Sequence, residues 1–251
     1  MIQVENLTFS YQNGAPVFQN FSWQVGRGES WAVLGPSGCG KTTLLYLIAG
    51  LLTPDTGQIL IDGERVDRPR PQSGLILQDY GLLPWATVTE NARLGLRIRA
   101  FYGPDGTHAP RDQALDLDIS YWLERLGLTE HADKFPSQLS GGQRQRTAIA
   151  RTLALHPDLL LMDEPFSSLD APTREGLQQL TLELRAEQGL TLVIVTHAIE
   201  EAAFIGQKIL LLSDPPNRTT NILHNPSSGN AEFRESEAYL NLCRELRSRM
   251  G

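Results

Sequence analysis

Cysteine is scarce in this chain, with only Cys39 and Cys243 among 251 residues. Two thiols so far apart imply no disulfide framework, and a reducing, cytoplasmic setting is expected. In that setting the Asn-x-Ser/Thr matches at Asn6, Asn20 and Asn217 are coincidental. No uninterrupted apolar run approaches the roughly 18 residues of a membrane span. The opening Met-Ile-Gln-Val-Glu-Asn has neither a basic nor an apolar stretch, so no signal peptide is expected. Basic residues are in deficit, 22 Lys and Arg against 29 Asp and Glu. The resulting net charge of −7 argues against a nucleic-acid partner. His108, His131, His156 and His224 show no metal-ligand spacing, and no repeat at solenoid periods is found. What remains is ordinary for a globular chain, 41% hydrophobic and 20% charged, and long enough to bury a substantial core.

Against that background residues 35 to 42 stand out: Gly-Pro-Ser-Gly-Cys-Gly-Lys-Thr. They fit the phosphate loop G-x-x-x-x-G-K-[ST] at every fixed position. Trp31–Leu34 before them reads as a strand, and Thr43–Ala49 after them as a helix. Glycines let the backbone wrap a phosphate, and the helix N-terminus adds positive potential. Lys41 would reach the β- and γ-phosphates, and the Thr42 hydroxyl would sit on Mg²⁺. Cys39 fits as a small side chain in the loop.

Residues 1–30 alternate apolar and polar around Gly14 and Gly26, as short antiparallel strands do. Short strands are also expected at Gln58–Asp62 and at Leu75–Leu77, the latter ending at Gln78. Residues 87–156 carry apolar positions at helical spacing and read as a mostly helical insert, broken by an exposed loop at Gly103–Pro110. Three strongly apolar runs follow, Leu159–Met162, Thr191–Val195 and Ile209–Leu212, which suit central parallel strands. A helix near Thr173–Gln188 supplies the crossover, and Ser236–Arg249 reads as an amphipathic helix. Arg144, Arg146 and Arg151 share one helix and are expected in salt bridges or in solvent.

A second anion cradle is expected at Leu139-Ser140-Gly141-Gly142-Gln143, where Ser140 can cap the helix-like run Arg144–Leu155. Asp163-Glu164 ends the Leu159–Met162 strand, and strand C-termini form the active edge of open α/β sheets. Adjacent carboxylates there fit metal handling by one and base work by the other. Taken alone, each of these is also an ordinary cap or strand end.

In this order and spacing the residues resemble the ATP-binding-cassette ATPases, the nucleotide-binding subunits of ABC transporters, over about residues 2–212. The resemblance implies an α/β fold: a P-loop NTPase (RecA-like) core with a mostly parallel sheet, a small antiparallel β subdomain and a helical signature subdomain. It implies a domain over 1–213, with the helical part at about 87–156, and a short tail over 214–251 with a terminal helix. Tyr11 matches the adenine-stacking aromatic, Gly35–Thr42 the Walker A loop and Gln78 the Q-loop. Leu139–Gln143 matches the signature, Leu160–Glu164 Walker B, Ser168–Asp170 the D-loop and His197 the switch histidine.

Residue by residue, the resemblance makes Glu164 the general base, with His197 and Gln78 as its catalytic companions. Tyr11, Gly35, Pro36, Ser37, Gly38, Cys39, Gly40, Lys41, Thr42 and Thr43 bind ATP. Thr42, Gln78 and Asp163 hold Mg²⁺. Ser140, Gly141, Gly142, Gln143 and Asp170 reach the ATP of the opposite protomer, so the working form is a homodimer or a pseudo-symmetric pair. Other implied partners are integral-membrane permease subunits and, indirectly, a periplasmic or lipid-anchored solute-binding protein. The expected location is the cytoplasmic face of the plasma membrane.

The stretch Leu82-Leu83-Pro84-Trp85 after Gln78 is similar to importer subunits of the nitrate/sulfonate/taurine group, which points to a small anion of that kind as cargo. Its bland alternative is packing of the Q-loop. An exporter or lipoprotein-release ATPase, or a non-hydrolysing ATP-gated scaffold, are the competing readings. Ala198 stands where the family commonly has Asp, and Gly206-Gln207-Lys208 replaces the usual acidic-basic pair.

Overall fold

The computed structural model describes residues 1–12, 14–103 and 118–250. Along the chain, β1 (Ile2–Ser10) and β2 (Pro16–Val25) precede β3 (Ser30–Leu34), α1 (Lys41–Ile48), β4 (Thr56–Ile61), β5 (Glu64–Arg65) and β6 (Ser73–Ile76). The helices α2 (Val88–Tyr102), α3 (Ser120–Arg125) and α4 (Gly141–Leu153) follow. Then come β7 (Leu159–Asp163), α5 (Ala171–Gln188), β8 (Thr191–Thr196), α6 (Ile199–Ile205) and β9 (Lys208–Leu211). The chain closes with β10 (Asn221–His224), α7 (Ala231–Arg234) and α8 (Glu237–Met250). The Gly103–Pro110 loop expected from sequence lies, beyond Gly103, outside the described residues.

The apolar runs become the middle of a six-stranded sheet in the order β10-β9-β3-β8-β7-β6. β9, β3, β8, β7 and β6 pair in parallel, and β10 adds an antiparallel edge. Strand side chains alternate between faces. Ala32, Leu34, Leu160, Met162, Leu192 and Ile194 enter one core with the helices. Trp31, Val33, Leu159, Leu161, Val193 and Val195 enter the other, shared with α1 and the second sheet. Both faces are buried, which is why these runs show no polar alternation. The second sheet is antiparallel, in the order β2-β1-β4-β5, and takes up the alternating N-terminal residues.

Side-chain caps set the starts of α2, α4 and α5. Thr87 opens α2 with a capping box: its Oγ1 accepts from Glu90 N at 3.2 Å, and Glu90 Oε2 accepts from Thr87 N at 2.7 Å. Ser140 opens α4 in the same way, so this helix starts at Gly141 rather than Arg144. The cap satisfies the end, so two glycines in the first turn are tolerated. β6 likewise lies two residues N-terminal to the strand expected to begin at Leu75.

The segment after 213 packs on the main body. β10 extends the sheet, and Tyr239, Cys243 and Leu246, spaced along one face of α8, are buried in the helix-side core. Tyr239 donates from its hydroxyl to Glu200 O on α6 at 3.0 Å. Among the described residues no helix is long and apolar enough to cross a membrane.

Candidate nucleotide site

β3 delivers the chain to Gly35, and the loop to Gly40 turns straight into α1. Glycine is required at the ends of this turn. A Cβ on Gly35 would stand 2.6 Å from Cys39 Sγ and 2.7 Å from Leu212 O. Gly40 has φ +105°, and a Cβ there would meet Val17 Cγ1 at 2.6 Å. Cys39 is fully buried beneath the loop, and burial raises its thiol pKa above the usual range, so it fills space rather than acting as a thiolate. Ser37 and Gly38 are exposed at the mouth. Lys41 is buried, and its Nζ donates to Gly35 O and Pro36 O, each at 2.8 Å. Its charge thus lies across the loop, against the carbonyls at the loop's start.

The other half of the site comes from the neighbouring strands. Asp163 ends β7, and its Oδ1 accepts from Thr42 Oγ1 at 3.0 Å. Burial first, and the Glu164 charge as well, push the Asp163 carboxyl above the usual carboxylate range, against the pull of Thr42 and Lys41. Glu164 follows with φ 44°, a left-handed conformation uncommon for a side chain with a Cβ. Its backbone N–H donates to Val195 O at 2.9 Å. His197, just beyond β8, brings Nδ1 to 3.1 Å from Glu164 Oε2. Thr42, Tyr46, Gln78, Asp163, Ser167 and Ser168 line one cleft of about 680 Å³. Tyr11 is half exposed, and its hydroxyl lies 3.0 Å from Thr43 Oγ1, which puts its ring beside the start of α1 rather than in a core.

Glu164 and His197 meet beside this cleft rather than in its lining, and the signature residues and Asp170 stand apart from it. Ser140 Oγ accepts from Gln143 N at 3.2 Å, and Gln143 Oε1 accepts from Ser140 N at 2.9 Å, on an exposed helix end. Gly142 is buried, and a Cβ there would stand 2.6 Å from Thr173 Cγ2, so this glycine also lets α4 approach α5. Asp170 caps α5, accepting from Thr173 N at 3.1 Å, a bond that holds its carboxyl below the usual range.

Several partners were not visible in sequence. The Arg151 guanidinium donates to Tyr80 O at 2.7 Å and Gly81 O at 2.6 Å, fastening the stretch after Gln78. Arg144 and Arg146 donate to Leu139 O and Leu126 O, so the arginines of α4 brace backbone, in place of the expected salt bridges or solvent. His131 Nε2 lies 2.7 Å from Gln143 Nε2, tying the signature turn to the preceding loop. Buried Asn91 accepts from Leu83 N and donates to Leu83 O and Ala86 O, leaving Trp85 73% exposed at the tip of the turn.

A phosphate loop whose threonine meets a strand-end aspartate, beside a Glu–His pair, is what a nucleotide-hydrolysing cassette requires, and the profile of the ABC transporter family matches residues 18–167. The chain belongs to the ABC transporter family. It is 44% identical over 202 residues to the taurine import ATP-binding protein TauB of Pseudomonas aeruginosa, covering 80% of this chain and 73% of that one. The Yersinia pestis protein of the same name is 44% identical over 218 residues, covering 87% and 82%. Among solved structures, cbiO1 of Clostridium perfringens, part of the ABC transporter complex cbiONQ, superposes with TM-score 0.76 at 26% identity, over 99% of this chain and 95% of that one. An ATP-binding cassette solved as a dimer with ADP and phosphate gives TM-score 0.75 at 31% identity, over 89% and 98%. This ABC chain therefore has the cassette fold, and the expected α/β architecture with its antiparallel and helical parts is the one observed.

Proposed function

We propose that this chain is the ATP-hydrolysing subunit of an importer for a small sulfonate-type solute such as taurine, working as a head-to-tail pair beneath membrane permease subunits. As an ABC cassette it binds ATP and hydrolyses it. The reading of the residues rests on one observation: Thr42, Asp163, Glu164 and His197 converge on the edge that carries the phosphate loop. The loop N–H groups and Lys41 hold the β- and γ-phosphates. Glu164 accepts the proton of the attacking water at its carboxylate, and the imidazole of His197 keeps that carboxylate in place. Phosphoryl transfer asks mainly for positioning and charge stabilisation, which this set supplies.

The donors facing the cleft, the Thr42 hydroxyl, the Asp163 carboxylate and the Gln78 amide, are hard oxygen ligands suited to Mg²⁺. One carboxylate completed by substrate phosphates is the usual Mg²⁺ arrangement. An ion held by these residues would supply positive charge to the phosphates during transfer. Ser140, Gly142 and Asp170 face the ATP of the second copy, which accounts for a capped, exposed helix end outside the chain's own cleft. Exposed Trp85 on the Asn91-stapled turn meets the permease at the cytoplasmic face of the membrane.

The likeness to taurine import proteins supports the cargo. The test is uptake of radiolabelled taurine by vesicles holding this chain, its permease and its binding protein. ATP-dependent uptake, lost with Glu164→Gln, is expected. ATP hydrolysis without uptake of any sulfonate or of nitrate removes the cargo assignment, and ATP-driven export removes the direction.

A further inference from the structure

The side chain of Asn217 reaches the floor of the phosphate loop from the far end of the chain. It lies beyond β9, 178 residues from Cys39, and is 3% exposed. Its Nδ2 donates to Cys39 O at 2.8 Å and to Val17 O at 3.4 Å, and its Oδ1 accepts from Ser213 N at 3.0 Å. Its backbone is fixed as well: Asn217 N donates to Val17 O, and Asn217 O accepts from Gln19 N, each at 2.9 Å. Every donor and acceptor of this amide is therefore used, with both N–H groups on carbonyls.

One of those carbonyls belongs to the peptide that leads into Gly40. The unit linking Cys39 to Gly40 is planar, and its C=O and N–H point in opposite directions. Gly40, at φ +105°, has the freedom that lets the loop wrap a phosphate. The same freedom allows that peptide to turn over, which would aim the Cys39 carbonyl at an anion. Asn217 selects one orientation. With Cys39 O held toward β2 and the 213–217 segment, Gly40 N–H points the opposite way, away from both.

We propose that Asn217 is a positioning residue of the nucleotide site, a brace from the C-terminal segment that fixes the Cys39–Gly40 peptide with its N–H toward bound phosphate. The inference rests on Gly35–Thr42 being the phosphate cradle. The 213–217 segment is then part of the ATP site, and nucleotide affinity depends on residues past the last core strand.

The experiment measures ATP Kd, kcat and Tm for the wild-type chain and for Lys41→Ala, Asn217→Ala, Asn217→Asp and Asn225→Ala. Asn225 is the matched control: equally buried, it donates from Nδ2 to Ala203 O and Gly206 O, at the opposite end of β9 from the loop. Wild type that binds and Lys41→Ala that does not establish the cradle. If both bind alike, the cradle itself fails. Loss of one such hydrogen bond predicts a Kd for Asn217→Ala raised about tenfold, with kcat at saturating ATP changed less than about threefold. Asn217→Asp, of the same shape but with no donor and facing a carbonyl, is expected to do at least as much. Asn225→Ala should lower Tm comparably and leave Kd unchanged. An unchanged Kd in folded Asn217→Ala overturns the proposal, as does an equal rise in Kd for Asn225→Ala. Failure of both Asn217 variants to fold also overturns it, since the residue would then hold the fold rather than the loop.

Discussion

Nδ1 of His197 lies 3.1 Å from Oε2 of Glu164, across the gap between two neighbouring parallel strands. The contact follows from register. β7 and β8 pair with Asp163 opposite Val195, so the residue after one strand and the residue two beyond its partner meet at the same edge. The left-handed turn at Glu164 aims the carboxylate along that edge. On the proposed function, this pair joins the carboxylate that takes the proton of water to the imidazole that holds it in place.

Glu164→Gln keeps the size of the side chain and removes its ability to take a proton. Turnover should fall by about two to four orders of magnitude, the usual range for a lost general base. ATP binding should persist, and the trapped complex should appear as a dimer in light scattering. Turnover within tenfold of wild type would take the base role away from Glu164, and a variant that stays monomeric in saturating ATP contradicts the sandwich.

Much of this edge could be read in the sequence, because each of its parts is local. The phosphate loop is eight consecutive residues, and the central strands announce themselves as runs with no polar face. The braces were not legible. Arg151 to Tyr80 and Gln143 to His131 join segments distant in sequence, and the local Asn91 bonds to Leu83 depend on how the turn folds back on α2. A buried asparagine and an exposed one look alike in a sequence. The amphipathic period of α8 was visible, whereas its destination, a face against α6 and the helix-side core, was set by packing alone.

On the proposed head-to-tail pairing, Ser140 would separate ATP binding by one chain from turnover by two. It caps α4 on an exposed surface, and the signature residues are absent from the cleft lined by Thr42 and Asp163. Ser140→Ala should leave the ATP Kd of dilute monomer unchanged and lower stability by about 1 kcal/mol through the lost cap. Turnover and ATP-dependent dimerisation should fall at least tenfold. Equilibrium dialysis at low protein concentration decides: a monomer Kd that worsens in step with turnover argues that Ser140 serves its own chain's nucleotide.

Trp85 spends its large ring on the surface, 73% exposed, while Asn91 holds the turn beneath it. Such an aromatic contributes little to an isolated fold and a great deal to an interface. Trp85→Ala should shift stability by no more than about 0.5 kcal/mol and leave the basal ATPase of the subunit intact. Copurification with the permease should be lost. Normal assembly of the variant would return this turn to simple packing.

Glu201 gives the molecule a pH-dependent stability. It is buried on α6, its Oε1 has no hydrogen-bond partner, and burial pushes its carboxyl up to about 8 from an ordinary 4.5. The Thr196 hydroxyl and the Arg174 charge pull it down, and Glu164 pushes it up. Below pH 4.5 the group is protonated in both folded and unfolded chains, and its contribution is fully present. Between 4.5 and about 8 the folded chain retains a proton that the unfolded chain has released, so stability falls as pH rises. The slope is at most about 1.4 kcal/mol per pH unit. Glu201→Gln carries no titrating proton and keeps the volume. Its Tm relative to wild type should therefore climb from pH 5 to pH 8 and level off above that. A difference that stays flat across those pH values would show that Glu201 is ionised in the folded chain throughout.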